Sequence, residues 1–171
     1  MRKGSVWPGA TSNACAARAP RITAIGDPHD RSGQISCEVD DMENFLRAAL
    51  IEWLRADPDL AGINAIAEEA PVSASAPWLG IAASASADWG TKDRPGREVR
   101  IALELESRAD EPAADGPLLA AIERRVLDLP PFHSAFELAS IRFLRARSEE
   151  REANLRGSLL EFRFRIFAPQ T

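Results

Sequence analysis

Tyrosine is missing from these 171 residues, cysteine and histidine occur twice each, and only Lys3 and Lys92 of the 21 basic residues are lysines. Both cysteines, Cys15 and Cys37, lie in the first 41 residues, so no disulfide can staple the remainder. No apolar run approaches the roughly 18 residues of a membrane span. A basic excess is also lacking: the net charge is -5 and the pI about 5.2, which argues against a general nucleic-acid binder. What remains, 45% hydrophobic and 27% charged, is the composition of a globular chain long enough for one domain with a core. Arginine forks suit carboxylates, although a GC-rich genome is the plainer source of the arginine bias.

The first 41 residues differ from the rest. Gly4, Gly9, Gly26, Gly33, Pro8, Pro20 and Pro28 interrupt them and no apolar period persists, so they read as a disordered extension. Trp7-Pro8-Gly9-Ala10 breaks the continuous apolar stretch that a secretory signal requires, and five acids argue against a transit peptide. The expectation is that residues 1–41 are an upstream in-frame translation ahead of a start at Met42, or else a flexible arm, and that residues 42–171 form the domain. Cytoplasm is the default location.

Past that point periodicity takes over. Met42, Phe45, Leu46, Ala49, Leu50, Trp53 and Leu54 recur at three and four, one apolar helix face. Asp40 or Asp41 is placed to cap it, and Asp57-Pro58 to stop it. Residues 64–68 read as a short strand, 69–77 as an Ala/Ser/Pro linker, 78–87 as a strand of mostly small residues, and 88–96 as a polar loop. Val99, Ile101, Leu103 and Leu105 alternate with polar partners, a half-buried strand. A second helix falls between Pro112 and Asp128, its stripe being Leu118, Leu119, Ile122 and Val126, with Pro117 opening or kinking it. Two strands follow, Ile141–Arg147 and Leu159–Phe167; in the latter Leu160, Phe162, Phe164 and Ile166 face one way and Glu161, Arg163 and Arg165 the other. The fold class is α+β: a mostly antiparallel sheet of four to five strands against two helices.

Chemistry is hard to place on this pattern. His133 is the one histidine after Met42 and follows Pro130-Pro131 in a loop, with nothing resembling a nucleophile elbow around it. Cys15, His29 and Cys37 match no zinc spacing. Glu68-Glu69 and Glu149-Glu150 are neighbours that strand geometry would point apart, and the Gly90–Gly96 loop lacks phosphate-cradling spacing. No catalytic, cofactor or metal residue is therefore expected. One charge feature stands out: Arg142, Arg145, Arg147, Arg151, Arg156, Arg163 and Arg165 outnumber the nearby acids. Either these pair across the two strands, or they form a contact face for an acidic neighbour.

Several pieces in order resemble one known family. Phe45-Leu46-Arg47-Ala48-Ala49-Leu50 leads to Asp57-Pro58-Asp59-Leu60-Ala61. Ile66-Ala67-Glu68-Glu69-Ala70-Pro71 and, after a spacer, Pro77-Trp78-Leu79-Gly80-Ile81 come next. Thr91-Lys92-Asp93 to Gly96-Arg97-Glu98 opens the Val99 strand, and Ile141–Arg147 precedes Leu160–Arg165. Residues 42–171 in this order resemble the tail terminator (tail completion, head–tail joining) proteins of long-tailed phages, above all those of alphaproteobacterial gene transfer agents. Ala67, where family members often carry an aromatic, and Pro117 depart from the pattern.

The resemblance implies a structural protein without enzymatic activity or cofactor. It would form a six-membered homo-oligomeric ring on the head-proximal end of the tail tube, stop tube growth, and dock to the head connector or stopper. Its partners would be itself, the major tail tube protein and that connector. DNA would pass an acidic lumen without specific binding, no membrane would be involved, and the protein would leave the cytoplasm as part of a phage-like particle. Contacts are expected at Trp89, Lys92, Asp93 and Arg94 in the 88–98 loop, which would order on binding, and at Arg142, Arg145, Arg163 and Arg165. For Trp89 the alternative is a ring folded back on its own sheet. Rival readings are a connector or tube subunit of similar fold, a bacterial ligand-binding module, and a hydrolase built on His133.

Overall fold

Alternation of period two and period 3.6 becomes, in the computed structural model of the chain, one sheet with a helix layer on one side. The structure describes residues 32–69, 75–108 and 115–170. Their order is α1 (Ser32–Arg55), a 3-10 turn (Pro58–Leu60), β1 (Ala65–Ala67), β2 (Trp78–Asp88), β3 (Gly96–Ser107), α2 (Gly116–Leu127), β4 (Glu137–Arg151) and β5 (Leu155–Phe167). The strands lie in the order β1-β2-β3-β5-β4. Only β1 and β2 are parallel; the other three pairings are antiparallel. The expected α+β class, with five strands and two helices, is what forms. Expectations for residues 1–31, including Cys15 and His29, for the linker over 70–74 and for Pro112 lie outside the described residues.

The core follows the alternation. Val99, Ile101, Leu103 and Leu105 of β3 and Leu160, Phe162, Phe164 and Ile166 of β5 are all buried, and in register Val99 faces Phe164, Ile101 faces Phe162 and Leu103 faces Leu160. Met42, Leu46, Leu50 and Leu54 of α1, one turn apart, pack on them together with Ile122 and Val126 of α2. Phe45 does not: it is 52% exposed, because it lies about 100° around the helix from Leu46 and off the buried stripe. Asp40 and Asp41 do not cap α1, which begins at Ser32 and so contains them. Asp57 caps the following 3-10 turn instead, accepting from the Asp59 N–H at 2.9 Å. Pro117 opens α2 at its first turn rather than kinking it.

The two helices are clasped at their ends. The Trp53 indole donates to the Arg125 carbonyl at 2.8 Å, and the Arg125 guanidinium donates back to the Trp53 carbonyl at 2.9 and 3.0 Å while lying 3.4 Å from the indole centroid. Asp57, 7% exposed, lies 3.4 Å from the same guanidinium and balances its charge.

Candidate functional site

Strand register places every second residue of the sheet on the face away from the helices, and that open face is charged. On β3 it carries Glu98, Arg100, Glu104 and Glu106; on β5, Glu161, Arg163 and Arg165; on β4, Arg142, Arg145, Arg147, Glu149 and Arg151. Arg100, Arg163 and Arg142 stand directly opposite one another across β3, β5 and β4, a repulsive row unless anions are close. Glu98 supplies one: its carboxylate lies 2.9 Å from Arg165, 3.8 Å from Arg163 and 3.7 Å from Arg100. The hydrogen bond from Arg165, aided by the charges of Arg163 and Arg100, holds the Glu98 carboxyl below its ordinary value, with desolvation working the other way. Arg145 does the same for Glu161, pairing at 2.7 Å.

Further along, Arg151 reaches over the sheet to Glu104, to Glu106 at 3.0 Å and to Glu149 at 3.4 Å. Bare Gly157 makes room for it, since a Cβ there would come within 2.6 Å of the guanidinium. Arg142 is exposed and makes no ion pair among the described residues. Of the seven arginines, Arg145 pairs across the two C-terminal strands with Glu161, Arg151, Arg163 and Arg165 pair with glutamates of β3, Arg156 approaches Asp115, and Arg142 and Arg147 make no ion pair among the described residues.

The 88–96 loop is closed on its own sheet. Thr91 and Arg94 exchange backbone hydrogen bonds at 2.8 and 3.4 Å, and the Trp89 N–H donates to the Gly96 carbonyl at 3.1 Å. Trp89 lies folded back, its ring 4.7 Å from that of Phe167 and covered by Arg165 at 4.9 Å. Arg94 lies over Phe167 at 4.7 Å, donates to the Ala168 carbonyl at 2.8 Å and pairs with Glu137 at 2.5 Å. Glycine is required at Gly96, where a Cβ would meet the Phe167 ring at 2.8 Å and the Ile166 carbonyl at 2.9 Å. Lys92 and Asp93 stand exposed at the tip. The eight expected contact residues therefore fall into two groups on this face: the loop with Trp89, Lys92, Asp93 and Arg94 at one end, and Arg142, Arg145, Arg163 and Arg165 beside it.

Sequence reasoning missed Glu98, Glu104 and Glu106, which the arginines meet. Their signal was present as the polar half of the β3 alternation, but the β3–β5 register that brings them to the arginines is a long-range pairing. His133 stacks on Phe136 at 4.3 Å and its Nε2 hydrogen-bonds the Pro130 carbonyl at 2.8 Å, so the histidine of the hydrolase reading serves its own loop. No group of three metal-ligating side chains occurs among the described residues, and no helix among them is long and apolar enough to cross a membrane.

Comparison with known proteins gives three findings. Among curated proteins no sequence matches. A solved structure described as the virion of a native gene transfer agent particle contains a chain 24% identical to this one, with a TM-score of 0.63, over 72% of this chain and 95% of that one; at that identity the likeness speaks for the fold. The tail completion protein gp17 family matches residues 48–166, from within α1 almost to the end of β5. Its members are structural proteins of phage tails, and this chain belongs to that family.

Proposed function

We propose that the chain is a head-proximal tail terminator: a protein that closes into a ring on the tail tube, ends its polymerisation and presents a surface to the connector of the filled head. The family match over residues 48–166 carries this reading. The sheet agrees with it: among the described residues the outer strand β4 has no partner on its far side, and β1 covers β2 only over Trp78–Gly80, and a closed ring is one way in which such edges are removed. The fold likeness to a chain of a gene transfer agent virion supports a phage-like particle of that kind. Six copies, the major tail tube protein and the head connector or stopper as partners, and DNA passing an acidic lumen without specific binding complete the proposal. It makes and breaks no covalent bond. Residues 42–171 are the working domain, with Lys92, Asp93, Arg142 and Arg145 as outward contacts and Trp89, Arg94, Arg163 and Arg165 ordering the surface that bears them.

Deleting the gene tests it. Particles from the deletion strain, viewed by negative stain, should be tail-less filled heads beside free tails of irregular length. Normal tailed particles would overturn the reading. A purified protein that polymerises alone into long tubes would instead make it a tube subunit.

A further inference from the structure

Two phenylalanines of the described chain lie largely in water: Phe45 of α1, 52% exposed, and Phe132 of the α2–β4 loop, 75% exposed. Between the elements that carry them runs an open groove of about 310 Å³. Ala49, Trp53 and Ala56 of α1 wall it on one side and Leu129, Pro130 and His133 on the other, and the exposed Glu52 completes the lining. Phe45, Ala49 and Trp53 are spaced by four, so Phe45 continues the α1 wall. Phe132 adjoins His133 in the chain. Apolar surface gathered in this way marks a contact site, which scattered exposed residues do not.

The walls are apolar and the charge beside them is negative. Glu52 forms no ion pair among the described residues, and neither does the exposed Asp128, which precedes Leu129. Arg125, which lies over Trp53, is already balanced by Asp57 at 3.4 Å. Such a groove suits arginine: the stem lies on the apolar wall, an aromatic ring faces the guanidinium and a carboxylate takes the charge.

β4 carries arginines of that kind. Arg142 and Arg147 are exposed and form no ion pair among the described residues, and Leu144 between them is 42% exposed. The carboxylates beside them are engaged, Glu161 by Arg145 and Glu104 and Glu149 by Arg151. β4 ends the sheet and is bulged between Phe143 and Arg145. A bulge turns an edge away from a further strand, so this stretch offers side chains rather than backbone. Lengths agree as well: Arg142 to Arg147 spans about 16 Å of strand, and Phe45 to Ala56 about 16 Å of helix.

We propose that the groove between α1 and the α2–β4 loop receives the Arg142–Arg147 stretch of β4 from a second copy of this chain. The arginines turn to Glu52 and Asp128, and Leu144 rests on the apolar wall. Groove and strand are different surfaces, so the contact is heterologous and can close a ring. This inference rests on the ring reading and supplies its contact.

A charge swap tests it. Glu52→Arg with Asp128→Arg reverses the groove, and Arg142→Glu with Arg147→Glu reverses the strand; all four positions are exposed. Assembly is scored by sedimentation and negative stain, with the protein free and on isolated tails. Each double variant should stay monomeric at about ten times the concentration at which wild type forms rings. The chain carrying all four changes should form rings again, because reversed groove then meets reversed strand, and its rings also show that the substitutions fold. Without any change of charge, Phe132→Ser should raise the concentration needed for rings about tenfold at an unchanged melting midpoint; a wild-type threshold there would overturn the contact. Rings from either double variant, or none from the combined chain while wild type forms them, would overturn it too and leave the ring standing. Variants that form rings but fail to join tails or heads would give the groove to another particle protein and equally overturn it. Wild type that forms no ring in either setting would remove the ring reading itself, and this contact with it.

Discussion

Phe164 lies between Val99 of β3 and Ile141 of β4 in the strand register and has no exposed surface. Truncating it to alanine removes most of a ring from a packed layer, and Phe164→Ala should cost about 3–5 kcal/mol in urea unfolding. A loss below about 1 kcal/mol would mean that the layer collapses onto the gap. On the opposite face, Glu98 and Glu161 are held below their ordinary 4.5 by arginine partners. A carboxyl depressed in the fold contributes stability that is complete above the unfolded value and lost as pH falls through the folded one. Thermal melts should therefore hold steady from neutral pH down to about 5 and decline below it. The double variant Glu98→Gln, Glu161→Gln should melt lower at pH 7 and show a shallower acid decline; an unchanged acid decline would assign it to other groups.

At the scale of elements, the β4–β5 hairpin bends through Ala153 and Asn154, with φ of 60° and 58°. Asparagine tolerates that left-handed region, whereas alanine pays for its Cβ there. Ala153→Gly should raise stability by up to about 1 kcal/mol, after the entropy that glycine adds to the unfolded chain is subtracted. A fall in the denaturation midpoint would show that the turn is formed otherwise. The hairpin also marks how far local pattern carries. Both strands were legible from the alternation of Leu160 to Ile166 and the run Ile141–Arg147, and so was the arginine excess along them. Which carboxylates answer those arginines was not, because Glu98 lies 67 residues before Arg165, and Glu104 and Glu106 lie 47 and 45 before Arg151, and local periodicity is blind to register. Trp89 is a similar case: its loop was evident from Gly90, Pro95 and Gly96, but not that Phe167 and Arg165 would receive the ring.

For the molecule as a whole, the described core contacts of α1 include Met42, which is 3% exposed, Leu46 and Leu50. A chain starting at Met42 should thus keep the midpoint of the full-length protein and its assembly; insolubility or a markedly lower midpoint would place essential contacts ahead of Met42. The sequence by itself determined the class of fold, the faces of β3 and β5, the buried stripe of α2 and the family, since side-chain period and motif order are properties of neighbouring residues. Tertiary structure alone decided the strand order, the arginine–glutamate pairing on the open face and the exposure of Phe45. Each of these depends on which distant segments meet, and the free energy that selects the meeting is collected only when the whole sheet closes over its helices.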